Sequence, residues 1–451
     1  MSVVRKMVAA TAGAALVLAA VGCTTTNAEN TPDASSPTKS ATDAKDPITL
    51  RFAVFGEPET LTAYDDLARA FTKNHPNVKV VVDHAPNAQT AMTNLESGFP
   101  SGHSPDVFLV DHGELPTLTA KGYVQPVDDL LEDRHVDFGD GYQRDGLEAF
   151  SASAALQCMP HDVSPLVVYY NKELVDLRSL VDEGDEPLTA EEGWTWEEFT
   201  RAARKASRGK VNGVHIEPAL EYIAPLIWSG GGDIVDDSQE PTTLTLSEGD
   251  SRAALEQVLA LVRDPQVTPT RRELERSDAV SRFKSGKLAM IVGTRALTPL
   301  LREGESASFD VMPLPSLGRF RTVAHMTGYC ISSETEHVEA AADFLAFAVG
   351  REGATITATP GYVVPSNLEV AHSPAFIQPG KQPESSFVFN DGVRRADGLP
   401  FVEAWPAAER SVRPMLQRLF YAPVIDLDSL LEEIDTKSQN LLAPQESSTS
   451  E

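Results

Sequence analysis

Cysteine is scarce in this chain, three in 451 residues, and histidine contributes only ten. A fold built on disulfides needs far more cysteine than that. The histidines are scattered, with neither the i, i+4 spacing nor the cysteine partners of a zinc site. The acidic stretch from Asp233 to Asp237 lacks the alternating ligand order of a calcium loop. No metal and no cofactor is therefore expected. Also missing are G-x-S-x-G, H-E-x-x-H and G-x-x-x-x-G-K-[ST], which removes the hydrolase elbow, the zincin pair and the phosphate-binding loop. Beyond residue 21 no apolar run approaches the ~20 residues that span a bilayer. Positive charge is the last shortage: 38 lysines and arginines face 66 aspartates and glutamates, for a net charge of −28. Such a surface repels phosphate backbones and anionic lipid, which argues against a nucleic-acid partner and against adhesion of the body to a membrane.

What is present begins with a leader. Arg5 and Lys6 form a positive n-region, and Met7 to Val21 is uncharged and mostly Ala, Val and Leu. That is the length of a signal-peptide core. Ala20-Val21-Gly22-Cys23 resembles the bacterial lipobox, with Ala20 where leucine is usual. Residues 1–22 thus read as a signal peptide and Cys23 as a lipidated N-terminus. Thr24 to Asp46 is Thr, Ser, Ala, Asn, Asp and Pro, with almost nothing to bury. Such a chain does not offset its ordering entropy, which suits residues 23–46 to a flexible tether. Residues 444–451 read as a flexible tail.

The roughly 400 residues between exceed what one core usually serves, so two domains are expected. Ile48, Leu50, Phe52 and Val54 alternate as a strand. Leu61, Tyr64, Leu67, Ala68 and Phe71 recur at helical spacing, stopped by Asn74-His75-Pro76. Val78 to Val82 and Asp106 to Val110 are further strands, and the strand–helix–strand order argues for a parallel sheet covered by helices. The theme repeats: Pro165 to Tyr170 reads as a strand, Thr195 with Glu198 as a capping box, and Leu255 to Val262 as a helical face. Phe283 to Lys287 reads as a turn into the strand Leu288 to Val292. Helices are expected over Val338 to Val349 and Leu427 to Leu441. Trp194, Trp196 and Trp405, each at a helix start, read as packing residues.

Between about residues 48 and 443 the chain carries FTKNHPNVKV, SPDVFLVDHGELPTLTAKGYVQPVDDLL, MPHDVSPLVVYYNKEL, GWTWEEFTRAARK, WSGGGD, AVSRFKSGKLAMIVGT, MPLPS, TGYCISSETEHVEAAADFLAFAV and GYVVPSN, in that order. In this series it resembles the maltose-binding-like family of extracellular sugar-binding proteins of bacterial ABC importers. The resemblance implies an α/β, two-lobed periplasmic-binding-protein-like fold with a multi-strand hinge and a ligand cleft between the lobes. Lobe one would be 47–160 plus 327–372, and lobe two 161–326 plus 373–443. It implies hinge closure on a sugar, no catalysis, delivery to the permease subunits, and a monomer held on the outer face of the cell membrane by lipidated Cys23. In the family's fold the segments around Cys158 and Cys330 run side by side as hinge strands, so the resemblance also implies a Cys158–Cys330 disulfide.

A sugar presents hydroxyls at its edge and C–H groups on its face, so a site for it wants carboxylates, amides and aromatic rings. Glu57 after the first strand, Asp111 ending DVFLVD, and Asp162 past the first crossing supply acids. Trp228 supplies a ring, Gly231 and Gly232 a backbone that ligand can approach. By likeness to the family, Arg295 after the AMIVG strand and Tyr329 in the second crossing face the cleft, and Arg394 is a weaker candidate. Other roles stay open. Glu57 suits capping the next helix, Asp111 a turn, Asp162 a hinge pin, Trp228 a core, Arg295 a surface ion pair and Arg394 relief of local acidity. The alternatives are a secreted carbohydrate-active enzyme, which needs two carboxylates across a bond, or the same fold binding a peptide or an iron chelate. If Cys23 carries lipid, the mature chain fractionates with membranes and Cys23→Ser releases it. Retention of that variant after a high-salt wash would exclude a lipid anchor.

Overall fold

The computed structural model describes residues 47–304 and 307–443. Cys23 and the expected signal, tether and tail lie outside them. Thirteen strands occur among the described residues. β1 (Ile48–Phe55), β2 (Val78–Ala85), β3 (Val107–Asp111) and β4 (Val124–Gln125) come first, followed by a small hairpin of β5 (Ser151–Ala152) and β6 (Ala155–Leu156). Next are β7 (Met159–Pro165), β8 (Val167–Asn171), β9 (Asn212–His215), β10 (Leu288–Gly293) and β11 (Phe309–Pro313). The last two are β12 (Thr322–Ser332) and β13 (Ala396–Asp397).

The first sheet has the order β13-β12-β3-β1-β2, with β4 and β7 also paired to β12. β1 runs parallel to β2 and β3, while β12 is antiparallel to β3. Leu50, Phe52 and Val54 of β1 are buried, whereas Arg51 faces out and pairs with Asp83 of β2. Two helices bury one face of this sheet. Pro58–Asn74 turns Tyr64, Leu67 and Phe71 inward, and Val338–Val349 adds Phe344 and Leu345. Phe52, Tyr64, Tyr329 and Phe344 meet edge-on around Phe52 at centroid distances of 5.0–5.9 Å, the geometry aromatic quadrupoles favour.

The second sheet has the order β11-β8-β10-β9. One face carries the larger core, with Phe199, Ile223, Leu255, Val412 and Leu431 from the surrounding helices. The other face packs Tyr169, Phe283 and Phe309 against Phe376 and Phe389. Trp194, Trp196 and Trp405 are buried as packing residues. The Trp196–Ala206 helix opens with the Thr195–Glu198 capping box. Two expectations need correction. The Pro165-to-Tyr170 strand is two strands that meet at Leu166, because β7 pairs with β12 and β8 with β10 and β11. Phe283 and Lys284 close the Ala279–Lys284 helix, and the turn into β10 follows them.

β12 connects the two bodies. Its Ile331–Thr327 half lies against β3, and its Ala324–Tyr329 stretch lies against β7, which leads into β8 of the second sheet. Cys330 on β12 is disulfide-bonded to Cys158, just before β7, with a Cα separation of 4.4 Å. That is the spacing of a non-hydrogen-bonded antiparallel pair. The bond joins residues 172 apart in sequence, and the chain-entropy model values closing such a loop at about 5 kcal/mol, before any native strain. Cys158→Ala/Cys330→Ala should therefore unfold at lower urea concentration than the parent. An unchanged midpoint would show that the bond restrains the unfolded chain little.

Candidate functional site

β1, β2 and β3 all end at one edge of the first sheet, the edge where open parallel sheets place ligands. Asp111 closes β3 there, and Gly56-Glu57 follows β1. Register puts Thr327 of β12 opposite Asp111 on one side and Asp162 on the other, with His325 opposite Ser164. Paired residues project to the same side of a sheet and residues two apart share a face. Asp111, Asp162, Ser164, His325 and Thr327 therefore share one face at the mouth of β12.

Asp111 works in two directions. Its Oδ1 accepts the Gly113 N–H at 3.0 Å and so caps the turn after β3, while its Oδ2 meets His325 Nε2 at 2.6 Å. Burial alone would raise the Asp111 carboxyl, yet the imidazolium beside it holds it below its ordinary value. The same partnership pushes His325 up to about 10. Asp162 is buried, and its Oδ1 accepts from Ser164 Oγ at 2.6 Å and from the Val364 N–H at 2.7 Å. Burial pushes its carboxyl up to about 7. These bonds make it a pin between β7 and the 364 segment, the second of the roles its position allowed.

The second body contributes acids of its own. Glu221 opens the Leu220–Ser229 helix, and burial raises its carboxyl within the fields of His325, Asp111, Glu409 and Arg413. Close by, His215 Nε2 meets Glu217 at 3.1 Å. With Tyr222, Ile291, Val292 and Leu297 they line a cavity of about 370 Å³ at the carboxyl ends of the parallel strands β9 and β10. Ring contact crosses between the bodies. His112, whose Nε2 lies 2.9 Å from the Ala149 carbonyl, stacks on Phe401 at 4.6 Å and an 18° interplanar angle. Pro400, the neighbour of Phe401, lines a second cavity of about 280 Å³ with Trp228, Asp233, Arg319, Arg321 and Asp397.

The remaining expected residues divide. Trp228 lines that second cavity and donates its indole N–H to Asp233 Oδ1 at 3.0 Å, although most of its ring is core. Glu57 is exposed at the N-cap of the Pro58–Asn74 helix without making a capping bond. Arg394 is exposed and lies 3.8 Å from Asp391. Two expectations, Arg295 and Tyr329, are corrected. Arg295 is fully buried, sandwiched by Phe376 and Phe389, and donates to the Gly361 and Phe376 carbonyls and to Ser386 Oγ. It braces the second body's core and faces no cleft. Tyr329 sits on the same face as Thr327 but one pleat deeper, under the helix that carries Tyr64, and is fully buried. Gly231 and Gly232 spend their N–H groups on the Trp228 and Ile227 carbonyls. At Gly232, which lines the same cavity as Trp228, a Cβ would lie 2.5 Å from the Ser251 backbone, so glycine there admits the neighbouring helix.

His325, Glu221, Glu217 and the His112–Phe401 stack were not among the expected residues. His325 stands two residues before Thr327 on an alternating strand, a signal that needs the register with β3 to be read. Among the described residues no group of three or more His, Cys, Asp or Glu is placed to hold a metal, and no helix is long and apolar enough to cross a membrane.

The model of the bacterial extracellular solute-binding protein family matches residues 66–383. The chain belongs to that family. The solute-binding protein shares its fold with an ABC substrate-binding protein of Listeria monocytogenes solved with cycloalternan, at a TM-score of 0.75 and 20% identity, covering 88% of this chain and 98% of that one. The sugar-binding protein MalE of Xanthomonas citri gives 0.74 at 17% identity, covering 88% and 97%. These establish a two-lobed periplasmic-binding fold. In sequence, the maltotriose-binding protein of Pyrococcus abyssi is 22% identical over 148 residues, 31% of each chain. A sn-glycerol-3-phosphate-binding periplasmic protein of Yersinia pestis is 27% identical over 117 residues, 24% of this chain and 26% of that one. The solute-binding protein thus spans about a third or less of the length of these curated relatives. Both relatives are named as binding proteins.

The Asp111–His325 pair sets a pH dependence. The raised imidazole contributes stability that is whole below pH 6.5, its ordinary value, and fades as pH climbs toward about 10. The lowered carboxyl contributes above its ordinary 3.8 and loses its share as pH falls through its depressed value. With the imidazole 41% and the carboxylate 26% exposed, water screens the pair to about 1 kcal/mol. His325→Gln should destabilise most between pH 4 and 6.5 and be nearly neutral at pH 10, measured by urea unfolding. A pH-independent difference would mean that His325 contributes packing alone.

Proposed function

We propose that this solute-binding protein is the substrate-binding lipoprotein of an ABC importer, that it captures a saccharide between its lobes, and that it releases the saccharide unchanged to the membrane permease. The observation that carries the reading is the Asp111–His325–Asp162 face at the carboxyl end of the first sheet, opposed across the bodies by Glu221 and the His215–Glu217 cavity. Fixed carboxylates and imidazoles are what a ring of hydroxyls requires, and apolar Ile291, Val292 and Leu297 suit its C–H face. Three of the four relatives named above support the choice of ligand class, being solved with cycloalternan or named for maltotriose or sugar binding, while the fourth is named for sn-glycerol-3-phosphate.

The lobes divide at 47–160 plus 327–372 and 161–326 plus 373–443, with β7 and β12 as hinge strands. Ligand held by both lobes biases the hinge toward closure. Asp111 and Asp162 are each tied by two short bonds, which suits holding a hydroxyl better than moving a proton, so turnover is not expected. A monomer is anchored through Cys23 on the outer face of the cell membrane. Glu57, Trp228, Gly231, Gly232 and Arg394 remain ligand candidates beside the central face.

Thermal unfolding with maltotriose, maltose and a panel of neutral sugars tests the reading. A ligand bound only by the folded state raises Tm with its concentration, and chromatography of the mixture should recover it intact. Appearance of cleaved product would establish an enzyme instead. Trp228→Ala should weaken the identified sugar by about 1–3 kcal/mol if the 280 Å³ cavity is part of the site, and unchanged calorimetric affinity would remove Trp228 from it.

A further inference from the structure

The densest run of positive charge in this acidic chain lies on residues outside the site described above. Between residues 201 and 210 stand Arg201, Arg204, Lys205, Arg208 and Lys210, without one acid. Arg201, Arg204 and Lys205 follow one another along the Trp196–Ala206 helix at spacings of three and four, so they share a face. That face walls an open groove of about 780 Å³. Gln257, Ala260 and Leu261 of the Gly249–Val262 helix form the opposite wall, and Trp196 and Glu197 lie at one end, leaving three cations against one carboxylate.

Three observations in the groove ask for a partner. It is mainly apolar between its charged rims, because the arginine stems and Leu261 line it. Its cations are weakly matched: Arg204 reaches Asp264 only at 3.7 Å, Lys205 Nζ is turned to the Ser179 carbonyl, and Arg201 has no ion pair among the described residues. Thr200 Oγ1 and Arg201 Nε, both on this wall, are buried without a hydrogen-bond partner. Buried donors left unmade are uncommon and costly in native structures.

We propose that this groove docks an acidic amphipathic helix of another protein, whose apolar ridge seats between the two helices and whose carboxylates meet Arg201, Arg204 and Lys205. A ridge laid between two helices is an ordinary helix-in-groove arrangement. Charge supplies the selection. An acidic partner is repelled by a surface of net charge −28 everywhere else, so this groove is where it gains attraction and a fixed orientation. A lipid surface is too flat to reach the recessed donors, and a second copy of this chain, itself at −28, is repelled by the whole body far more than a short acidic helix is. The inference is independent of the saccharide reading.

The probe is a fluorescein-labelled synthetic helix of about 18 residues with a leucine ridge flanked by glutamates, titrated into the mature full-length protein at low and high salt. It should bind at low salt and weaken as salt rises. Arg201→Glu/Arg204→Glu should lower its affinity at least about tenfold, and Arg201→Ala/Arg204→Ala, which keeps good helix formers, should lower it less in the same direction. Lys73→Glu/Lys79→Glu, an equal charge change on the other body, should leave it alone, and sugar-induced thermal shifts should persist in every variant. Equal affinity in both arginine variants overturns the proposal. So does equal binding of polyglutamate, which lacks the ridge. Groove-dependent binding to phosphatidylglycerol vesicles without peptide binding would assign the patch to a membrane, and groove-dependent self-association in sedimentation would assign it to a second copy.

Discussion

One strand carries the mechanics of this protein. β12 is hydrogen-bonded to β3 and β7 at once, and β7 runs on through Leu166 into the second sheet. Everything that positions the site follows from that double pairing. It sets Thr327 between Asp111 and Asp162, brings His325 to Asp111, and places Cys330 across from Cys158. At His161 the register with β7 slips by one residue, since Thr327 faces Asp162 but Gly328 faces Pro160. The slip turns His161 into the body-one core, where it stacks on Tyr329 at 4.6 Å and lies 3.3 Å from the Tyr64 hydroxyl. Burial drives that imidazole down to about 3, so it is a neutral packing group while His325, a few residues away across the strands, is charged. Two histidines on paired strands thus take opposite protonation states because one is sealed among rings and the other meets a carboxylate.

Much of the fold was legible because burial is periodic. The alternation from Ile48 to Val54, the helical recurrence from Leu61 to Phe71 and the Thr195–Glu198 cap report local physics, and local physics is what a sequence prints. The split at Leu166 was not legible. Pro165 to Tyr170 is apolar throughout, so periodicity shows no break, and only the different partners of β7 and β8 divide it. The three tryptophans at helix starts were readable for a related reason: a large ring beside a run of helical apolar positions has nowhere better to go.

The site was legible by residue type and position, and illegible in direction. Asp111 and Asp162 end or begin segments that register alone brings together. Arg295 follows a buried strand in the same manner as Asp111, and the sequence offers no local sign that one side chain turns outward and the other into a box of Phe376 and Phe389. Those two rings arrive from 81 and 94 residues later. The glycines after Trp228 suggested open backbone, while the structure uses them to close a helix end against its neighbour. Residue type announces capability, and the long-range packing decides whether it is spent on ligand or on fold.

The disulfide has a consequence of a different kind. It closes residues 158 through 330 into one covalent ring, and the fully exposed, acid-rich segment around residues 182–187 lies inside that ring. Exposed polar loops are where proteases cut. A single cut there opens the backbone but detaches nothing, since both new ends remain joined through Cys158 and Cys330. For a member of an extracellular family, working where no ribosome replaces a damaged copy in place, a nicked molecule stays one molecule.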